Sequence, residues 1–127
     1  VNHRVELLEE AIELYRGELF SDSPDDIEFE AMRETLRQDY LQALLGLSDL
    51  CEQHQGGDRC IGLLRQAAEQ DLLREDVHRQ LVRALLSAGR RGEAVRTYRR
   101  CIDALHTQLG VGPTRETLQV GALLGCR

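Results

Sequence analysis

The chain has 127 residues, of which 42% are hydrophobic and 30% are charged. This length is typical of a single domain that buries a core without disulfides or metals, and the composition is too apolar for a disordered chain. All 16 basic residues are arginine, against 22 acidic residues, and the net charge of −6 excludes a protein that binds nucleic acid through bulk positive charge.

No apolar run approaches the roughly 18 residues of a membrane-spanning helix, so we expect no contact with a membrane. The chain starts at Val1 without an initiator Met or an apolar signal segment, which indicates a piece of a longer cytoplasmic protein. In a reducing cytoplasm the four cysteines are expected to remain thiols. We expect Cys51, Cys60 and Cys101 to be buried and Cys126 to be exposed.

Helical periodicity dominates the chain, because apolar residues recur at spacings of three and four and both prolines lie outside the periodic segments. The pattern predicts a first helix over residues 5–16, with Gly17 as its C-terminal cap. A loop over residues 21–26 and a long helix over residues 26–53 follow. The predicted fold class is all-α.

The second part of the chain contains an internal repeat. Residues 57–67 align with residues 91–101, small for small and apolar for apolar, at an offset of 34 residues. Thirty-four residues is the period of tetratricopeptide repeats. In this register Cys60 and Ala94 are equivalent small residues that let the second helix of each pair approach the first.

This register predicts the architecture of the whole chain. Repeats near residues 41–74 and 75–108 would each form an antiparallel helix pair. The chain then breaks at residues 110–113, and a helix near residues 114–126 would cap the exposed end of the stack. We therefore predict one domain over residues 1–127, a tetratricopeptide-like stack of antiparallel helix pairs with a C-terminal capping helix.

The sequence contains no constellation typical of an enzyme. The four histidines lie on different predicted elements, and Cys51 with His54 is a single Cys/His pair without the second pair that a zinc site needs. The glycine-containing segments 56–57 and 110–112 are predicted to be turns and not phosphate-binding loops, because no strand precedes them and no Lys follows. We predict no catalytic activity, no cofactor and no metal ion.

Charge is distributed unevenly along the chain. Residues 1–58 carry 4 Arg and 15 Asp or Glu, a net charge of −11, whereas residues 59–127 carry 12 Arg and 7 Asp or Glu, a net charge of +5. The two halves neutralise one another across the stack, or the arginines present a basic face to DNA or to an acidic partner. Such a basic face would consist of Arg90, Arg91, Arg96, Arg99 and Arg100.

A concave groove is a second candidate site, because the first helices of tetratricopeptide pairs line such a groove. In the register above, its lining would consist of Gln42, Leu45, Asp49, Glu52, Arg79, Arg83 and Leu86. With acids on one side and arginines on the other, the groove is suited to a peptide segment or a neighbouring domain. Salt bridges within the chain, at about 0.2–1 kcal/mol for an exposed pair, are the alternative use of the same residues.

Five short elements resemble, in order and spacing, those of one protein family. They occupy residues 14–20 (LYRGELF), 29–36 (FEAMRETL), 75–81 (EDVHRQL), 88–94 (AGRRGEA) and 109–113 (LGVGP). They are similar to the L-Y-R-G-x-L, W-x-x-x-R-x-x-L, E-x-x-h-x-x-L, G-R-x-x-E-A and L-G-V-x-P elements of the bacterial transcriptional activator domain. That domain occurs in actinobacterial antibiotic regulatory proteins and related activators. Phe29 stands where the family usually has Trp.

The resemblance implies a non-catalytic regulatory and protein-interaction domain of a transcriptional activator. In this family the domain usually follows an N-terminal winged helix that binds promoter DNA, so DNA would be bound only through a domain that is not in this chain. The expected protein partners are the winged-helix domain, a second copy through dimerisation, or the transcription machinery. A free-standing tetratricopeptide scaffold that binds a peptide segment and an effector-sensing module are the alternatives.

Overall fold

The computed structural model describes residues 2–19, 27–53 and 57–125, with side chains described for residues 6–14, 30–50 and 57–125. The described residues form six helices, which are α1 (Asn2–Leu19), α2 (Ile27–Gln53), α3 (Gly57–Gln70), α4 (Glu75–Ser87), α5 (Arg91–Leu109) and α6 (Arg115–Leu123). From α1 to α5 each helix packs against the next, and α6 packs against α4. This arrangement is the all-α, tetratricopeptide-like stack that the sequence predicts.

The first helix is longer than predicted. Helix α1 continues through Gly17 to Leu19, so the prediction that Gly17 caps it is wrong. A glycine inside a helix costs about 1 kcal/mol relative to alanine, which packing against a neighbouring helix offsets; α1 packs along α2, with Ile12 buried in the shared core. The predicted long second helix is confirmed as Ile27–Gln53, and the predicted loop over residues 21–26 lies outside the described residues.

The hydrophobic core runs through the middle of the stack. Helix α2 contributes Leu41 and Leu44, α3 contributes Ile61, and α4 contributes Val77 and Leu85, all of them fully buried. Burying one such aliphatic side chain contributes about 1.5–3 kcal/mol. The apolar faces of α2, α3 and α4 therefore hold the helix pairs together.

Small residues lie where the sequence register places them. Cys60 and Ala94 are both buried, and the Sγ atom of Cys60 lies 3.2 Å from the Oγ atom of Ser48 on α2. Helix α3 begins at Gly57 and α5 begins at Arg91, which is 34 residues later. The repeat boundaries stay a proposal, and the spacing of these two helix starts supports it.

The end of α5 is set by a glycine. Gly110 has a φ of 64°, in the left-handed region that favours glycine, and its N–H donates to the carbonyl of His106 at 2.9 Å. This hydrogen bond gives a carbonyl group of the last turn of α5 a partner, as in a glycine-capped helix. The chain can then reverse through Pro113 into α6.

Polar contacts to α4 and one close packing contact to α5 hold α6 on the stack. The backbone N–H of Thr114 donates to Glu75 Oε1 on α4 at 2.8 Å, and Arg79 on α4 donates to the hydroxyl of Thr117 at 3.0 Å. The ring of Tyr98 lies so close to Gly121 that a Cβ atom there would overlap it. Helix α6 therefore covers parts of both α4 and α5.

Two of the four cysteines lie within the region where side chains are described. Cys60 and Cys101 are free and buried, as predicted, and burial raises the pKa of the Cys101 thiol to about 11. A buried thiol with a raised pKa is a poor nucleophile. Cys126 and the side chain of Cys51 lie outside the described residues.

His78 is a core residue of α4. Its side chain is only 4% exposed, and its Nε2 atom lies 3.0 Å from the carbonyl oxygen of Leu72. Burial lowers the pKa of the imidazole below its usual value of 6.5, because a charged ring would lose its hydration. The folded protein therefore favours neutral His78.

Ala94→Leu is expected to lower the free energy of unfolding by about 1–3 kcal/mol through overpacking. Ala94 is 0% exposed, so the larger side chain has no room at this helix contact. Chemical denaturation measures the effect, and Cys60→Leu should change stability in the same direction. Ala31→Leu on the exposed face of α2 is the matched control. Unchanged stability in Ala94→Leu would show that the register of α5 is wrong.

Acidification from about pH 7.5 to about pH 5.5 is expected to destabilise the fold through His78. The folded pKa lies below the unfolded value of 6.5, so the unfolded state takes up the proton first and is stabilised relative to the folded state as the pH falls. Above that range both states are neutral and the effect disappears. Thermal denaturation of the parent and of His78→Gln at both pH values measures it. The Tm of the parent should fall more than that of the variant, and equal losses would contradict the assignment.

Candidate protein-interaction surfaces

The predicted concave groove has exposed polar side chains on both contributing helices. On α2, Gln42 and Asp49 are exposed and Leu45 is half-buried against the core. On α4, Arg83 is exposed and Leu86 is half-buried. The side chain of Glu52 lies outside the described residues. The exposed members thus include one carboxylate, on α2, and one guanidinium, on α4.

Two arginines of the predicted groove have different surroundings. Arg79 is directed to α6, where it donates to Thr117. Arg83 lines a cavity of about 160 Å³ together with Cys60 and Leu64 of α3. Within the side chains that the structure describes, no ion pair joins Asp49 to either arginine. Arg83 and Asp49 are exposed, whereas Arg79 stabilises the end of the stack.

Arg90 is part of an ion-pair cluster at the start of α5. It pairs with Glu93 and lies 3.4 Å from Asp58 of α3. Glu93 also accepts a hydrogen bond from Arg65 of α3 at 2.8 Å. The hydrogen bonds from Arg90 and Arg65 lower the pKa of Glu93 to about 2. This cluster links α3 to the start of α5, so Arg90 serves the fold within the chain.

The other four arginines of the predicted basic face divide between two surfaces. Arg96 and Arg100 are exposed on α5. Arg91 and Arg99 line an open groove between α5 and α6, where Arg91 also donates to the carbonyl of Leu124. The positive charge of these four residues is therefore divided between two faces of α5.

The groove between α5 and α6, here called the C-terminal groove, was not predicted from the sequence. It has a volume of about 740 Å³. Its charged lining residues are Arg91, Arg99 and Asp103, and its apolar lining residues are Val95, Tyr98, Ile102, Pro113, Leu118 and Leu124. Leu118 is 50% exposed and lines the groove together with Arg91 and Arg99.

A second unpredicted surface lies on α1, at the other end of the stack. Leu7 and Leu14 are 52% and 65% exposed, and three exposed glutamates accompany them, Glu6, Glu10 and Glu13. We call these five residues the acidic α1 face. The sequence signal was the seven-residue spacing of the two leucines, which places them together on the side of α1 away from the buried Ile12.

No cluster of three or more His, Cys, Asp or Glu side chains suited to a metal ion occurs within the described part of the chain. Among the described helices, none is long and apolar enough to cross a membrane. The described surface carries a groove between α5 and α6 and charged helix faces.

Comparison with known proteins agrees with the sequence elements described above. The model of the family described as the bacterial transcriptional activator domain matches residues 1–124. No curated protein and no solved structure matches the chain significantly. Since the family match spans all six described helices, the chain belongs to the bacterial transcriptional activator domain family, whose members are regulatory domains.

Proposed function

We propose that this chain is a non-catalytic protein-interaction domain of a cytoplasmic transcriptional activator and that it acts beside a DNA-binding winged-helix domain. The observation that carries the proposal is the family match over residues 1–124. The domain would transmit promoter binding by the winged helix to the transcription machinery or to a second copy. No catalytic step is required of it.

The exposed side chains of the first helices support this role. Asp49 on α2 and Arg83 on α4 are exposed and of opposite charge, so they can recognise a peptide segment or a domain that carries both charges. Such complementarity contributes to specificity and association rate. The backbone of these helices is held by a fully buried core, which keeps the groove residues in place.

Direct DNA binding by this domain has little physical support. The net charge is −6, Arg90 is neutralised by its ion pairs, and the exposed arginines of α5 are divided, since Arg91 and Arg99 line the C-terminal groove and Arg96 and Arg100 do not. Each phosphate contact contributes modestly and is weakened by salt. DNA recognition is therefore assigned to the winged helix.

An effector-sensing role is supported less well. The cavity beside the buried His78 has a volume of about 70 Å³, well below the roughly 300–1,000 Å³ of small-molecule sites. The larger C-terminal groove is open and lies between helices, a form that suits a helix of a protein partner. Protein contact is therefore the function that we propose.

The isolated chain is expected to show no sequence-specific binding to duplex DNA, because it presents no basic recognition helix. Fluorescence anisotropy with a labelled promoter duplex measures this at physiological salt and with competitor DNA. The longer protein that includes the winged helix is the positive control. Specific binding by the isolated chain at nanomolar concentration would contradict the assignment and would move DNA recognition to the arginine-rich second half.

The double substitution Asp49→Arg with Arg83→Glu, made in the full-length activator, is expected to lower reporter transcription about fivefold or more, while DNA affinity stays within about twofold. Both side chains are exposed, so the fold should be retained. Arg96→Glu on the outer face of α5 is the matched control. Full reporter activity in the double variant would argue against the concave groove as the contact surface, and full activity after deletion of residues 1–124 would overturn the proposed function.

A further inference from the structure

The open face of α5 repeats a face of α3 that is partly covered, with Ala68 buried and Arg65 and Glu69 still exposed. On α3, Arg65, Ala68 and Glu69 line the small cavity that α3 shares with α4 and α5. Their counterparts 34 residues later line the C-terminal groove and are Arg99, Ile102 and Asp103. Helix α5 therefore presents to the groove the pattern that α3 presents to α5.

The covered face shows what kind of helix this pattern accepts. Arg65 donates to Glu93 at 2.8 Å, and Glu93 lies in the first turn of α5. The equivalent Arg99 has no ion-pair partner within the side chains that the structure describes. A helix that covers the C-terminal groove is therefore expected to bring carboxylates to Arg91 and Arg99 and apolar side chains to Val95 and Ile102.

The acidic α1 face meets both requirements. Leu7 and Leu14 are separated by two helical turns and lie on the same side of α1, with Glu6, Glu10 and Glu13 along one edge of this stripe. The stripe from Leu7 to Leu14 is about 10.5 Å long at 1.5 Å per residue, and the groove-lining part of α5 from Arg91 to Asp103 is about 18 Å long. The apolar stripe is thus shorter than the groove that would receive it.

We propose that the C-terminal groove binds the acidic α1 face of a second copy of this chain, so that the copies associate head to tail. The two leucines of one copy pack against Val95, Ile102 and Leu118 of the next, and the glutamates pair with Arg91 and Arg99. Because the two surfaces differ, each added copy leaves one α1 face and one groove open. The proposal rests on the proposed protein-interaction function and names one partner for it.

Sedimentation velocity of the 127-residue chain over a range of protein and salt concentrations tests the association. The average mass should rise above the 14.4 kDa of one chain with increasing concentration and should fall with added salt, because exposed charges are screened. Arg99→Glu should weaken the association about tenfold or more. Arg96→Glu, on the same helix but outside the groove, should change it less than about threefold.

A mixing experiment identifies the two surfaces. Leu118→Arg disables the groove and Leu14→Arg disables the α1 face, and both substitutions replace exposed side chains, so helicity and Tm should match the parent. Each variant alone should remain a monomer. An equimolar mixture should form dimers and nothing larger, because one intact α1 face meets one intact groove.

Three results would overturn the proposal. They are a parent chain that stays monomeric up to about 1 mM at low salt, variants that still associate alone, and a folded mixture without dimers. The reporter measurement on Asp49 and Arg83 tests the proposed function separately. Loss of head-to-tail association with an intact reporter response would therefore refute this inference alone.

Discussion

The burial of one apolar face of α4 is the interaction on which the rest of the stack depends. Helix α4 contacts α3, α5 and α6, and its Val77, Leu81 and Leu85 are buried among them. Each of these side chains contributes about 1.5–3 kcal/mol on burial, more than an exposed ion pair at about 0.2–1 kcal/mol. The same face carries the buried His78, and burial holds the pKa of its imidazole below the usual value.

Polar contacts decide how the helices are oriented around that core. Burial alone would raise the pKa of Glu75, but hydrogen bonds from Thr114 and Thr117 outweigh it and hold the pKa below its usual value. Hydrogen bonds from Arg90 and Arg65 likewise lower the pKa of Glu93. Glu75 and Glu93 both belong to sequence elements that carry the family resemblance. These two residues of the family elements therefore make contacts between helices of the same chain. Such contacts identify the fold, but they do not identify a partner.

A stack of helices has two ends, and each end must be covered or exposed. In this chain α6 covers α4 and part of α5, but the remaining part of α5 lines the C-terminal groove. At the other end, α1 exposes Leu7 and Leu14 among glutamates. The uneven charge of the two halves of the sequence becomes a difference between the two ends of the stack. That difference gives the proposed association a direction, because an acidic surface meets a basic one.

The sequence by itself determined the all-helical class, the bounds of α2, the burial of Cys60 and Ala94, and the family. Periodicity shows which face of a helix is buried, and small residues mark close approaches. Only the tertiary structure decided that α1 continues through Gly17, that Arg79 and Arg90 are used within the chain, and that a groove lies between α5 and α6. Periodicity does not show what covers a buried face, and the partner of a charged side chain can lie far away in the chain, as Arg79 and Thr117 do. The sequence therefore determined the helices, and packing between distant residues decided which of their side chains remain available to a partner.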